Sequence, residues 1–424
     1  MTGNRLYRIS LCALLFLSGA ALKAEDGGSF SGFTPYSMFG LGNLSNGGSA
    51  YNNTMGGVGI ASRNNRFINS LNPAAVTARD SLSFMSDVSL SQMNTVFRQG
   101  SMKSAANIFN MNDFILSTPI AGKLSLMTGV KPFSSTGYSY GYYDYNAELG
   151  SISNSYSGQG SVYQLFVAAG YPVFKGMSVG LEYIHYFGTI SRSYTQSIED
   201  KAALGINKTE EMYLRANTAK AGLQYEFKAF DKMKICLGAT YRLGAKLSGY
   251  QTLTNGVGES SKTTVVDTLA LRPNPLSIAS EMGFGVSFNY MNRIRGEIDY
   301  TRSNWSGTGF DNEIFAGGVA ESIRAGFEII PNPNEIRYYH RLIAYRAGVY
   351  VNREYYSVNG NPIYSRGITF GATLPVFRWY NGISIGMDVG QRGTLRGDLI
   401  RETYVGFNLG INLFDIWFQK YQYE

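Results

Sequence analysis

The residues of this chain best placed to do chemistry are charged side chains at alternate positions of long runs. They are Lys220, Glu226, Arg242, Lys246, Glu281, Arg295, Glu297, Asp299, Arg324, Glu328, Arg346, Asp388, Arg392 and Glu402. Their mixed signs predict paired networks that stiffen a wall or anchor something inside it, not a selectivity field of one sign. Catalysis is not expected. The 2 histidines are His185, which shares the parity of the apolar Met177, Val179, Leu181 and Tyr183, and His340, in the turn-like Arg337–Arg341. Neither neighbours the Ser and Asp of a triad. Two histidines and two cysteines offer no transition-metal ligand set. The glycines of Gly56-Gly57-Val58-Gly59 neither follow a strand nor open a helix, as a phosphate loop requires. The chain is read as a non-enzyme with no catalytic residue, metal or cofactor.

What positions those charges is a period of two. Tyr163, Leu165, Val167, Ala169 and Tyr171 alternate with Gln164, Phe166 and Ala168; Val405, Phe407, Leu409, Ile411 and Leu413 alternate with Tyr404, Asn408 and Asn412. Alternation means one apolar face and one polar face. About fourteen such runs occur, an even number as bacterial single-chain barrels require. They are read at 82–98, 109–119, 122–134, 159–172, 176–195, 208–228, 232–254, 275–291, 293–303, 319–330, 342–357, 363–376, 381–391 and 400–419. Many exceed the roughly 9–11 residues that a tilted strand needs to cross a bilayer, where soluble strands average nearer 5–6. Connections mostly alternate short, as at Pro119–Gly122 and Asn292, and long, as around 135–158, 196–207, 255–274 and 304–318. The fold class is therefore an all-β, transmembrane antiparallel barrel of about 14 strands with an N-terminal plug in its lumen.

Composition agrees. Aromatics make up 14% and charges only 16% of the 424 residues, with 50 Gly and 31 Tyr. The net charge of +7 fits anionic lipid heads better than a nucleic-acid partner. Residues 1–24 read as an export signal, with Arg5 and Arg8 before the apolar Leu11–Ala21 and cleavage after Ala24. That run is too short to span a bilayer, and bulky Leu11 before Cys12 argues against lipidation. Cleavage leaves Cys236 alone, so no intramolecular disulfide is expected.

Residues 25–80 lack alternation but carry Met38, Phe39, Leu41, Met55, Val58 and Ile60, which a solvated tail does not need. Gly56, Gly57 and Gly59 permit close backbone approach, and Asn72-Pro73-Ala74 marks an extended break where a plug would meet its barrel. Arg63, Arg66 and Arg79 are natural partners for lumenal carboxylates. The domains are the signal (1–24), the plug or hatch (25–80) and the barrel (81–424).

Met55-Gly56-Gly57-Val58-Gly59-Ile60-Ala61, followed by Asn72-Pro73-Ala74 and a first strand near Leu82, resembles the FadL/TodX family of outer-membrane transporters for hydrophobic compounds. The resemblance implies a hatch inside a fourteen-stranded barrel. It also implies passage of long-chain fatty acids or aromatic hydrocarbons to a lateral opening tied to an inward kink of the third strand. Here Pro132 removes a ladder donor and Gly137 tolerates a bend; equally, Pro132 ends that strand where a Tyr-rich loop begins. The part from Tyr345-Arg346-Ala347-Gly348 to Asp415–Lys420 resembles the Bacteroidota branch of the family. The chain departs from many outer-membrane barrels in ending on Tyr423-Glu424 and not on a terminal aromatic, although Phe418, Tyr421 and Tyr423 lie close by.

The expected function is passive uptake of hydrophobic compounds such as long-chain fatty acids across the outer membrane of a Gram-negative cell. The alternative is a non-transporting barrel subunit of a larger outer-membrane protein assembly or secretion complex. Tyr138, Tyr140, Tyr142 and Tyr143 serve either reading, as an aromatic entrance for a hydrophobic small-molecule ligand or as a partner surface. Transport requires an apolar pocket continuous with a lateral gap. The subunit role requires a charge-zippered, closed lumen and aromatic patches beyond the lipid.

Overall fold

A computed structural model describes residues 32–79, 83–198, 205–257, 264–270, 276–311, 314–376 and 381–416. The export signal (1–24), the first residues assigned to the plug (25–31) and the aromatics Phe418, Tyr421 and Tyr423 lie outside them. The alternating runs form one closed antiparallel barrel of 14 strands. They are β1 (Ser83–Gln99), β2 (Met102–Ala121), β3 (Leu124–Asn146), β4 (Gly150–Phe174), β5 (Met177–Ile198) and β6 (Ile206–Phe230). β7 runs as Met233–Arg242, Ala245–Lys246 and Ser248–Val257, and β8 as Thr264–Ala270, Ser277–Ile278 and Glu281–Tyr290. There follow β9 (Ile294–Asn304), β10 (Val319–Ile329, preceded by the short Phe315–Gly317), β11 (Ala344–Val358), β12 (Asn361–Pro375), β13 (Gly382–Arg392) and β14 (Arg401–Ile416). Closure is by β1 on β14, in register from Ser83↔Ile416 to Arg98↔Arg401.

The apolar parity faces outward. Leu165, Val167, Leu181, Phe284, Val286, Ile323, Phe370 and Leu409 are all exposed, part of an outer band that only lipid can cover without cost. The opposite parity faces the lumen. There the N-terminal segment lies as three short turns, Pro35–Met38, Ala50–Asn53 and Pro73–Ala78, with a two-residue strand, Asn43–Leu44.

Two expectations are corrected. The stretch 137–160 is not a loop: β3 and β4 pair without a break from Thr136↔Gly160 to Asn146↔Gly150, and the Tyr-rich residues sit in that hairpin. Likewise Tyr250–Asn255 pairs with Thr264–Ala270. The asymmetry read as long loops is largely an asymmetry of strand length. Secondly, Lys246 is exposed on the outside while Ala245 and Leu247 are buried inside. The chain leaves the ladder at Leu243–Gly244, and a one-residue irregularity flips every later side chain to the other face.

Candidate functional site

A short irregular segment cannot satisfy its own backbone, and inside a barrel there is little water to help. Wall charges do so here. On β9, Asp299 Oδ2 accepts from the N–H groups of Gly59 (2.7 Å) and Ile60 (2.9 Å), and Glu297 Oε1 from that of Ala61 (2.8 Å). Wall cations take the carbonyls: Lys220 of β6 donates to Leu71 O (2.6 Å), Arg324 of β10 to Gly57 O (3.3 Å) and Arg192 of β5 to Gly40 O (2.6 Å). The Thr34 hydroxyl donates to Glu402 of β14. Hydrogen bonds to charged groups contribute about 1.5–3 kcal/mol each.

This differs from the pairing expected of the segment's arginines. Arg63 instead donates to Ser178 Oγ (3.1 Å), Gln224 Oε1 (3.2 Å) and Thr77 Oγ1 (3.2 Å), and Arg79 to Ser117 Oγ (3.3 Å). Arg66 does add its charge to the surroundings of Glu328. The wall carboxylates take backbone donors, wall cations and hydroxyls such as those of Thr34 and Tyr350.

The strongest tie joins both. Arg346 of β11 pairs with Glu328 of β10 at 2.8 Å, with Arg295 of β9 3.5 Å from the other carboxylate oxygen. The Arg346 guanidinium stands 4.2 Å from the Tyr51 ring centroid and 5.2 Å from that of Phe67, and it donates to Thr54 Oγ1. Tyr51 and Phe67 stack on one another at 4.4 Å.

Close approach is made possible by inward-facing glycines. A Cβ at Gly180 or Gly222 would collide with Pro73 or Asn72, one at Gly238 with Ile60, and one at Gly348 with Met55 and Gly56. Gly180 pairs with Gly222 across β5 and β6, and Gly326 with Gly348 across β10 and β11, so the contacts form a belt. On the N-terminal side, Gly56 and Gly57 take φ of 74° and 79°, where a side chain is strained. Gly59 packs against Asn52 and Leu71. Asn72 is fully buried: its side-chain Oδ1 caps the Pro73–Ala78 turn by accepting from Ala74 N (3.0 Å), while its Nδ2 donates to Ile60 O (2.8 Å) and Leu223 O (3.2 Å). Asn72, Pro73 and Ala74 therefore sit against the wall at β5 and β6.

At the end of the barrel opposite Ser83 and Ile416, Tyr36, Phe39 and Leu41 enter an aromatic cluster with Trp305, Phe315, Tyr355 and Tyr356. Phe39 stacks on Phe315 at 5.2 Å, and Tyr36 lies 6.1 Å from Tyr356. The apolar space there is filled by the chain itself.

The wall has a seam. The β2–β3 ladder ends at Phe114↔Val130, and β3 turns inward through a bulge between Pro132 and Ser134. Beyond it β3 pairs inside with Asn43–Leu44, and Gly137 exchanges bonds with Ser37 and Thr34. At the root of the seam Lys131 is buried, within reach of Ser70 O (3.5 Å) and Ser70 Oγ (3.3 Å). A cavity of about 280 Å³ reaches from the lumen to the seam, and its walls are mixed: Phe33, Leu44, Met93, Ile108 and Met111 stand beside Gln92, Asn112, Ser134, Arg324, Arg392 and Glu402. Asn43 Oδ1, Ser134 Oγ and Thr136 Oγ1 are buried there without a partner.

Three of the four tyrosines join one aromatic row, Tyr138 lying 6.0 Å from Tyr140 and Tyr140 and Tyr142 both packing on Tyr156. Tyr138 is buried, Tyr140 donates to Met38 Sδ, and Tyr142 and Tyr143 stand exposed near the hairpin tip, Tyr143 at 81%. Tyr140, Tyr142 and Tyr194 pack around Tyr156 at 4.8–6.3 Å between ring centroids. The glycine belt and the Arg346 tie were not singled out from sequence, though mid-strand glycines on the polar parity were their visible signal.

The BamG family model matches residues 7–424. No curated protein matches the chain. Among solved structures, the chain resembles the Pseudomonas putida toluene transporter TodX (15% identity, 88% of this chain and 100% of that one, TM-score 0.58). It also resembles a Pseudomonas aeruginosa FadL homologue (11%, 88% and 99%, 0.57) and the Ralstonia pickettii toluene transporter TbuX (14%, 87% and 98%, 0.54). At these identities the likeness establishes the FadL-type barrel as the fold.

Proposed function

The chain belongs to the BamG family, and from that premise we propose that it is a non-conducting, plugged barrel of the outer membrane that serves as a subunit of a larger outer-membrane protein assembly or secretion complex. The observation that carries this reading is how the lumen is occupied. Much of its apolar space is filled by Tyr36, Phe39 and Leu41, and what remains carries the charges of Arg324, Asp388, Arg392 and Glu402 among apolar residues such as Phe33, Leu44 and Ile108. A hydrocarbon that filled that cavity would find apolar contacts on part of its wall, but would strip water from Arg324, Arg392 and Glu402 and give them nothing in return. The BamG match is in keeping with an assembly role, and Tyr142 and Tyr143 offer a surface beyond the lipid for partners. Residence in the outer membrane, and in the Bacteroidota branch that the C-terminal part resembles, belong to the same proposal.

A second reading, passive uptake of hydrophobic compounds, is favoured by one observation: the seam itself, flanked on its outer side by the exposed Phe109 and Met111. Two measurements separate the readings. The tagged chain, drawn from its own membranes in mild detergent, should bring a stoichiometric complex, and in a planar bilayer it should be electrically quiet until residues 25–78 are deleted. A lone monomer whose liposomes take up toluene or fatty acid overturns the subunit reading.

A further inference from the structure

We propose that the connection between β10 and β11, residues 330–343, is a clamp for the headgroup of an anionic phospholipid, set on the rim of the barrel where Ser83 and Ile416 meet. At that end 122–123, 175–176, 231–232 and 291–293 are minimal turns, and each carries an exposed cation: Lys123, Lys175, Lys232 and Arg293. The connection 330–343 is far longer, and every residue from Ile336 to Arg341 is exposed, Ile336 at 95%. Long exposed loops tend to hold several conformations, but this one is tied throughout. Asn332 N donates to Arg341 O (2.9 Å) and closes it. Glu335 then accepts from Arg337 N (3.1 Å), Asn332 Nδ2 (3.2 Å) and Arg341 Nη1 (3.3 Å). The guanidinium groups of Arg337 and Arg341 lie 5.6 and 5.0 Å from the Tyr338 ring centroid. Cations held in place beforehand cost less to order when a ligand arrives.

Position favours lipid as the occupant. Tyr345 belongs to the outward, lipid-facing parity, and its hydroxyl donates to His340 O (3.2 Å), while the Tyr339 hydroxyl donates to Pro375 O (2.9 Å) at the end of β12. The loop therefore lies along the outer lip. Just inside that rim stand the exposed aromatics Tyr171, Phe174, Tyr225, Phe230, Tyr290 and Tyr345, a girdle suited to the level where lipid tails give way to headgroups. Cations just beyond such a girdle meet phosphates, and the planar guanidinium matches a phosphate with paired N–H donors. Glu335, the loop's one carboxylate, is taken up by Arg341 at 3.3 Å, which leaves Arg337, with His340 close by in sequence, for the ligand. Ile336 and Tyr338 add apolar surface for the glycerol and the upper tails. Such a clamp works whether or not the lumen conducts, so its failure would leave the proposed function standing.

The test is backbone amide exchange on the full chain in lipid nanodiscs, made of phosphatidylcholine alone or with an equal share of phosphatidylglycerol. With phosphatidylglycerol present, exchange across 332–341 should slow by about fivefold or more, while 144–150, in the β3–β4 hairpin at the other end, is unchanged. Excess inorganic phosphate added to phosphatidylcholine discs should not reproduce the slowing, because a free ion offers nothing to Ile336 and Tyr338. Arg337→Gln keeps the side-chain ties of Glu335 to Asn332 and Arg341, so the loop should hold its shape and yet lose most of the response, with Arg337→Lys retaining part of it. Equal exchange in the two kinds of disc, slowing by phosphate alone, or a full response in Arg337→Gln would each overturn the proposal. An Arg337→Gln chain that keeps the lipid response but loses the complex recovered in mild detergent would assign the loop to a protein partner instead.

Discussion

The two sides of this barrel do different work. β9, β10 and β13 have 11 residues each, close to what a crossing needs, and this side carries Glu297, Asp299, Arg324, Glu328, Arg346 and Glu402, the charges that hold the N-terminal segment or one another. β3, β4, β5 and β6 have 23, 25, 22 and 25 residues. At about 3.3 Å per residue the longest runs for about 80 Å, nearly twice the roughly 30 Å span of a bilayer core even when tilted by about 45°. Both sides grip the N-terminal segment, the short side mainly through buried charges and the tall side through Lys220, Arg192 and the glycines that seat Asn72 and Pro73; only the tall side also spends length outward, and the seam opens along its free edge. The difference teaches that grip by buried ion pairs and projecting strand length are separately encoded, and so separately breakable.

The largest effect should come from the short side. Arg346→Ala removes the nearer of the two arginines on the buried Glu328 and leaves Arg295 at 3.5 Å, and it also removes the stacking on Tyr51 and Phe67. Breaking a buried pair from one side costs about 3–5 kcal/mol. The expected outcome is a lowered urea midpoint and protease cleavage within residues 32–79 in a barrel that still resists digestion. Lys220→Met on the tall side gives up one charge-assisted bond to Leu71 O, at most about 1.5–3 kcal/mol. Equal losses in the two variants would dissolve the distinction between the sides.

Where the sequence was legible follows from the same contrast. Residues 163–171 and 405–413 declare their strands because lipid on one face and polar groups on the other impose a strict alternation. The upper part of β3, Ser139–Tyr145, is exposed on both faces, and the facing Ser151–Gln159 of β4 covers its inner face with polar Asn154 and Gly158, so Ser, Gly and Tyr follow one another with no apolar period and both stretches read as loop. Pro132 marked the bulge, because proline is at home only where a ladder is interrupted. The partners of Asp299 were hidden, since the groups it accepts from are backbone N–H, which every residue but proline carries. Lys246 shows the limit of parity: one irregular step at Leu243–Gly244 and the periodic reading points the wrong way.

A smaller effect is expected where both sides share one device, the glycine belt. In Gly222→Val the new side chain collides with Asn72 and Pro73, and overpacking of this kind costs about 1–3 kcal/mol. The barrel relieves the clash most cheaply by letting the Pro73–Ala78 turn move away, so the variant should fold and show ion conductance in a planar bilayer. Gly318→Ala is the matched control, because nothing lies within 4 Å of the added methyl and the backbone there is not left-handed. Quiet bilayers for Gly222→Val would mean that the turn does not contribute to the seal.

The smallest effect on stability, and the sharpest on association, belongs to the tall side. Tyr143 is 81% exposed near the hairpin tip, so Tyr143→Ala should leave stability within about 0.5 kcal/mol of the parent. Tyrosine is a residue from which interfaces draw binding energy disproportionate to their area. If the projecting wall presents a partner surface, the same substitution should reduce the complex recovered in mild detergent by at least tenfold, with conductance and protease resistance unchanged. Arg346→Ala should do the reverse, loosening the seal while the complex persists. Loss of the complex in both variants, or in neither, would mean that grip and presentation are not divided between the two sides after all.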